Sequence, residues 1–169
     1  MIHIYTGSGK GKTTAATGLA VRAAGSGMRV CFFQFLKNGS SSEIGILRNI
    51  GIDVRFSADC GKFSFHMTPE DREIVTSAHN ELLRCALDII TSGSADMVVL
   101  DELFAAYNNS LLDRRLARSI VSSAGDTELV LTGRSPSRFF RERADYISRI
   151  DAVKHPFTKG IRARKGIEY

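Results

Sequence analysis

The sequence predicts a three-layer α/β fold, in which a mostly parallel sheet is covered by helices on both faces. Five short apolar runs have the length of buried strands, and helical patterns lie between most of them. The run Met97–Leu100 is apolar at every position, as expected of a parallel strand that is buried on both faces. The predicted strands are Ile2–Thr6, Val30–Phe35, Asp53–Phe56, Met97–Leu100 and Leu129–Thr132.

Apolar residues at helical spacing predict four helices between and after these strands. Several apolar positions of the first helix are alanines, which let a helix lie close to the sheet. The longest helix follows Thr68, which can cap it, and Asp71 can complete a capping box. The predicted helices run from Lys12 to about Ala24, from Pro69 to Gly93, and over Leu111–Ser122 and Pro136–Arg143. Residues 38–42 and 57–66 are predicted loops.

Length and composition are those of an ordinary globular protein. The 169 residues, 43% of them hydrophobic and 24% charged, suit a single domain over 1–169 with its own core. No apolar run approaches the ~20 residues that span a membrane, and residues 1–6 resemble a strand rather than a signal peptide, so we expect a cytoplasmic protein. Three scattered cysteines (Cys31, Cys60, Cys85) without a C-x-x-C pair argue against a disulfide framework or a zinc site.

The formal net charge of +5 is concentrated in the C-terminal segment. Residues 133–169 hold 10 Lys and Arg against 4 Asp and Glu, whereas residues 1–132 hold 13 against 14. A basic segment of this kind can meet nucleic acid, a phosphate-rich ligand or an acidic protein. Charge alone leaves open that it is simply a solvated face.

A glycine-rich loop follows the first predicted strand and precedes the first predicted helix, which is the context of a phosphate-binding P-loop. Its spacing fits G-x-x-x-x-G-K-[ST], except that Thr6 occupies the first glycine position. Lys12 and the loop amides can neutralise phosphate oxygens, and the Thr13 hydroxyl can reach Mg²⁺. The fold prediction thereby narrows to a RecA-like P-loop fold. The predicted nucleotide-binding residues of the loop are Thr6, Gly7, Ser8, Gly9, Lys10, Gly11, Lys12, Thr13 and Thr14.

Acidic residues follow the strand at Met97–Leu100. Asp101 and Glu102 come at its carboxyl end, which suits a Walker-B role in binding Mg²⁺, with Mn²⁺ as an alternative ion. No N-K-x-D sequence is present to recognise guanine, so ATP is the expected nucleotide. A P-loop alone does not separate ATP hydrolysis, phosphoryl transfer and nucleotide sensing.

Beyond the P-loop, five segments in the same order resemble the P-loop family of ATP:cob(I)alamin (ATP:corrinoid) adenosyltransferases. The similarity covers nearly the whole chain, and its C-terminal pattern K-H-P-F…G-I…K-G-I-E-Y is far more specific than the P-loop. The segments are Tyr5–Ala16, Gln34–Lys37, Val99–Leu103, Leu131–Arg134, and Lys154–Phe157 with Gly160–Ile161 and Lys165–Tyr169.

The resemblance implies that Co(I) of a reduced corrinoid attacks the C5′ carbon of ATP and releases triphosphate. No catalytic Ser, Cys or His is then required, because the cofactor supplies the nucleophile. Lys12 would act catalytically by stabilising the departing triphosphate together with the loop amides and Mg²⁺. The implied partners are ATP, the corrinoid, a flavodoxin-like flavoprotein that donates electrons, and a second copy of the chain, rather than nucleic acid or a membrane.

The resemblance also assigns residues outside the P-loop. Phe63 and Phe65 match an aromatic pair that displaces the lower axial ligand of cob(II)alamin, although the family often has Trp at the second place. Lys37, Glu43 and Arg134 are expected near the nucleotide. Helix capping by Glu43, a water-facing Arg134 and core packing of the two phenylalanines remain alternatives.

Two rival functions fit parts of the sequence. A RecA-like P-loop ATPase or kinase would use Glu102 to orient its nucleophile and the basic segment to contact nucleic acid. A non-catalytic ATP-binding regulator or corrinoid carrier would bind without turnover. The product separates them, because only adenosyl transfer yields triphosphate.

Overall fold

The computed structural model describes residues 1–57 and 66–167, and their strands form one parallel sheet. The six strands lie in the order β3-β2-β4-β5-β1-β6, and every neighbouring pair is parallel. This arrangement confirms the predicted α/β fold class. The strands are β1 (Ile2–Thr6), β2 (Val30–Gln34), β3 (Asp53–Phe56), β4 (Met97–Asp101), β5 (Glu128–Thr132) and β6 (Tyr146–Arg149).

The helices lie on both faces of the sheet. They are α1 (Lys12–Gly25), α2 (Glu43–Asn49), α3 (Pro69–Thr91), α4 (Leu103–Asn108), α5 (Arg114–Ser122) and α6 (Arg138–Arg141), followed by a 3-10 turn at Pro156–Lys159. The predicted capping box of α3 is present: Asp71 N–H donates to Thr68 Oγ1, and Thr68 N–H donates to Asp71 Oδ2. No helix in these described ranges is long and apolar enough to cross a membrane.

Strand β4 shows how the core is divided between two faces. Val98 and Leu100 pack with buried residues of α3, α4 and α5, whereas Met97 and Val99 pack with α1 and α2. All five residues of β4 are buried, as the sequence predicted for a strand covered on both sides. On the second face the buried residues of α1 include Ala16 and Ala20, whose small side chains allow close contact with the sheet.

Several elements differ from the predicted ones. Strand β6 was missed because all four of its residues are exposed, so it lacks the apolar run of a central strand. Helices α2 and α4 are short and were also missed. The helix predicted from Leu111 begins at Arg114 because the Asp113 side chain caps it there, and the one predicted over Pro136–Arg143 is limited to Arg138–Arg141.

Candidate functional site

The P-loop lies between β1 and the N-terminus of α1, at the carboxyl edge of the sheet. Gly11 adopts a φ of 119° immediately before the helix, a conformation that favours glycine. Lys12 is buried, and its Nζ donates to the carbonyl oxygen of Gly9 at 2.8 Å. Burial, chiefly, lowers the pKa of Lys12, and Arg134 adds to this, while Glu102 and Asp101 oppose it. A buried cation therefore lies inside the loop, next to the N-terminus of α1, where the first backbone N–H groups of a helix have no intrahelical partner.

The outer side of the P-loop is covered by the chain's own backbone. Ile150 N–H donates to Thr6 O at 2.8 Å, and Gly9 N–H donates to Ile150 O at 2.8 Å. A Cβ on Gly7 would collide with the Ile150 carbonyl, and one on Gly9 would lie 2.8 Å from the carbonyl carbon of Asp151. These two glycines are thus needed for packing inside the protein. Phosphate binding at the Gly9 amide would require its hydrogen bond to Ile150 to break.

Asp101 is the centre of the site, and none of its side chain is exposed. Its Oδ1 accepts hydrogen bonds from Thr13 Oγ1 at 2.9 Å and from Thr132 Oγ1 at 2.8 Å. Its Oδ2 accepts from Lys37 Nζ at 3.3 Å. Three segments that are far apart in sequence meet on one carboxylate, and its charge is compensated by a lysine.

Glu102 follows Asp101 in a left-handed conformation, with a φ of 59°. Its N–H donates to Thr132 Oγ1 at 2.9 Å, so the threonine hydroxyl links the two acidic residues. Burial and the neighbouring Asp101 raise the pKa of the Glu102 carboxyl, while Lys37, Lys12 and Arg134 lower it. Glu102 therefore keeps its proton at higher pH than an exposed glutamate does.

The side chains at this edge suit a divalent cation that is shared with phosphate. Within residues 1–57 and 66–167, no three His, Cys, Asp or Glu side chains come together as a metal cage. Thr13 Oγ1 donates its proton to Asp101, which leaves its lone pairs available to a cation. Mg²⁺ is commonly held by only one or two protein oxygens, with substrate phosphates and water completing the octahedron, so the donor set fits.

A cavity of about 400 Å³ lies beside this cluster, which is ample for part of a nucleotide. Glu43, at the start of α2, accepts from Gln34 Nε2 at 3.3 Å, and the amide oxygen of the same glutamine, Oε1, is buried without a hydrogen-bond partner. The C-terminal residues 166–167 close one side of the cavity. Its lining comprises Thr13, Thr14, Thr17, Lys37, Ser41, Ser42, Glu43, Gly166 and Ile167.

Arg134 lies at the other side of the P-loop. Its guanidinium donates to Ser8 O at 3.3 Å. It lines a second cavity of about 620 Å³ together with Thr6, Arg141 and Arg149, the last of which is paired with Asp151. This placement brings Arg134 to the P-loop, and its contact with the nucleotide stays a prediction.

The structure thus brings most of the predicted site residues to one edge of the sheet. Ser8, Lys10 and Thr14 are exposed along the loop, while Lys37 and Glu43 line the cavity beside Thr13. Phe63 and Phe65 lie outside the described residues, so their position facing the corrinoid stays a prediction. Sequence reasoning missed Thr132 and Gln34 as parts of the site. Each is a polar residue at the carboxyl end of a predicted buried strand, which is the signal that could have identified it.

A family model described as ATP:corrinoid adenosyltransferase BtuR/CobO/CobP matches residues 1–169. The chain belongs to this family. A corrinoid adenosyltransferase of Escherichia coli K12 is 35% identical over 172 residues, covering 100% of this chain and 85% of the relative. The corrinoid adenosyltransferase CobA of Salmonella typhimurium LT2 is 34% identical with the same coverage, and one from Pseudomonas aeruginosa is 30% identical over 100% of this chain and 83% of its own length.

A solved structure supports the fold independently of this relationship. A KaiC-like protein from Pyrococcus horikoshii OT3 superimposes with a TM-score of 0.54 at 14% identity, over 89% of this chain and 71% of the other. At that identity the likeness concerns the fold alone. It confirms the predicted RecA-like fold.

Membership in the ATP:corrinoid adenosyltransferase family confirms the resemblance that the sequence segments indicated, and it makes the chain a transferase. It favours adenosyl transfer over the RecA-like ATPase or kinase.

Proposed function

We propose that this chain transfers the 5′-deoxyadenosyl group of ATP to the Co(I) centre of a reduced corrinoid. Cobalt supplies both electrons of the new Co–C bond and becomes Co(III), while the C5′–O bond breaks and its electron pair leaves with triphosphate. The observation that carries the proposal is the buried, positively charged Lys12 in the P-loop. This loop belongs to a chain that the family model matches over residues 1–169. A leaving group of several negative charges is what such a loop can stabilise.

In this proposal some of the described residues compensate the charge of the triphosphate, and others position the nucleotide. Lys12 and the loop amides hold the triphosphate, and Arg134 adds a positive charge at its side. Thr13 would hold Mg²⁺ with Asp101 behind it, and the ion would neutralise triphosphate oxygens. Lys37 and Glu43 would bind the nucleotide in the adjoining cavity. Low water access near the buried Asp101 carboxylate strengthens these interactions.

The direct test is an anaerobic assay with MgATP and chemically reduced cob(I)alamin. We expect the visible spectrum of adenosylcobalamin to appear with one triphosphate released per Co–C bond. Accumulation of phosphate or ADP without a spectral change would replace the proposal with the ATPase function. Binding of both substrates without either product would replace it with the carrier function.

Phe65 is proposed, with Phe63, to displace the lower axial ligand of cob(II)alamin. We expect Phe65→Ala to slow adenosylation of cob(II)alamin, in the presence of a reductant, at least tenfold more than that of cobinamide, because cobinamide lacks the lower ligand base. Parallel rate assays with the two corrinoids measure this ratio, and cob(I)alamin that was reduced beforehand serves as the control. Equal losses on both corrinoids would assign Phe65 to general packing instead.

A flavodoxin-like protein is proposed as the electron donor, because such proteins are acidic and the C-terminal segment is basic. The exposed cations of this segment lie beside exposed apolar side chains, Val153 at 94% and Phe157 at 78% exposure. We expect donor-driven adenosylation to fall several-fold between 50 and 300 mM salt, roughly as the Debye length shortens, while chemically reduced assays change little. A rate independent of salt would exclude electrostatic docking. A homodimer and a cytoplasmic location stay predictions.

A further inference from the structure

The residue before Lys37 has an unusual backbone conformation. Leu36 has a φ of 56°, in the left-handed region that a γ-branched residue adopts only at an energetic cost. It lies two residues after the end of β2 and immediately precedes Lys37. Such a conformation persists only where surrounding contacts hold it.

His79 of α3 provides that contact. It is fully buried, and its Nε2 accepts the hydrogen bond from Leu36 N–H at 3.2 Å. Its Nδ1 lies 2.7 Å from the carbonyl oxygen of Leu111, which can only accept. The two bonds together require the tautomer with the proton on Nδ1. The ring also packs edge-on against Phe35 at 5.3 Å, so its orientation is fixed from several directions.

The left-handed turn carries Lys37 to the buried carboxylate. Phe35 N–H donates to Asp101 O at 3.0 Å, which holds the chain just before the turn. After the turn, Lys37 Nζ reaches Asp101 Oδ2 at 3.3 Å. If Leu36 adopted a conformation with negative φ, the backbone would continue from β2 in another direction. The Lys37 side chain would then be displaced from Asp101 and their ion pair would be lost.

We propose that His79 is a positioning residue, which holds the Leu36 turn so that the Lys37 ammonium stays at Asp101 and meets the triphosphate of ATP. His79 itself touches neither substrate, and its effect passes through Lys37. The inference rests on the proposed function for its catalytic consequence. The main quantity that tests the role of His79 is the affinity for ATP, which does not depend on adenosyl transfer.

A double-mutant cycle separates this role from a structural one. We expect His79→Phe, which keeps a ring but leaves the Leu36 amide and the Leu111 carbonyl unbonded, to weaken MgATP binding about tenfold by calorimetry. His79→Gln, whose amide oxygen can replace Nε2, should restore most of that loss. In a Lys37→Met background the same His79→Phe change should weaken binding less than twofold further, because the group it positions is already absent.

The matched control is Leu83→Val, which trims a buried residue one helical turn further along α3. It should lower thermal stability without changing ATP affinity. Additive losses in the Lys37→Met background, or an equal loss of affinity in Leu83→Val, would overturn the positioning role. Should the wild-type chain bind MgATP and show this coupling but fail to adenosylate cob(I)alamin, the proposed function would fall while the positioning role stood. Side-chain ¹⁵N spectra give an independent check, since a proton on Nε2 of His79 in the folded protein would also overturn it.

Discussion

Lys12→Ala should reduce adenosyl transfer from ATP to cob(I)alamin by about 10²–10³-fold, the range seen when one preorganised charge-stabilising group is removed. Lys12 is the buried cation of the P-loop, and its Nζ is bound only to the Gly9 carbonyl among the contacts described. Nothing else within the loop carries a buried positive charge, since Lys10 is exposed. The developing charge on triphosphate would therefore lose its nearest compensation.

The loss should fall on kcat as well as on ATP affinity, because charge on the leaving group grows in the transition state. Initial rates with chemically reduced cob(I)alamin at varied MgATP measure both quantities. Folding should survive the change, since burial already lowers the pKa of Lys12 and no carboxylate is left unpaired by its removal. Arg115→Ala, which removes an exposed cation on α5, is the matched control and should retain full activity. Near-normal turnover of Lys12→Ala would remove the P-loop from the mechanism.

Local spacing predicted the parts of this protein that depend on near neighbours in sequence. The strand-loop-helix context of the P-loop and the capping box at Thr68 are set within a few residues, and both are found where expected. Buried strands were predicted because they must be apolar on both faces. Strand β6 has no such requirement at the edge of the sheet, so its exposed residues carry no strand signal.

Contacts between distant segments could not be predicted in the same way. The resemblance placed Lys37 near the nucleotide, but only the fold shows that it pairs with Asp101, 64 residues later. The cover of the P-loop by Ile150 depends on the position of β6, which was missed. The role of Thr132 follows from β5 lying next to β4, an order that a single sequence does not specify. Sequence therefore identified the chemical groups of the site, while tertiary structure determined their partners.

Asp101→Asn should disrupt the site more broadly than the removal of any other single carboxylate. The wild-type carboxylate accepts from two hydroxyls on Oδ1 and from an ammonium on Oδ2. An asparagine has one accepting oxygen, so its NH₂ group must face either the two threonine hydroxyls or Lys37. The Lys37 ammonium can only donate, and the two hydroxyls could accept from the NH₂ group only by turning their own protons away from it. Lys37 also loses its counter-charge. We expect unfolding free energy to fall by about 1–3 kcal/mol, as for a buried hydrogen-bonding group left without its partner.

Adenosyl transfer by Asp101→Asn should fall by at least about 10²-fold, with a higher Mg²⁺ requirement, because Thr13 loses the acceptor that orients its hydroxyl. Urea unfolding and Mg²⁺ titration of the adenosylation rate measure the two effects separately. Asp113→Ala is the control: it removes the cap of α5 and should cost about 1 kcal/mol with activity unchanged. A variant that lost stability but kept the wild-type rate and Mg²⁺ dependence would show that the Asp101 cluster serves the fold alone. The leaving triphosphate would then be stabilised by Lys12 and the loop amides without a metal held at Thr13.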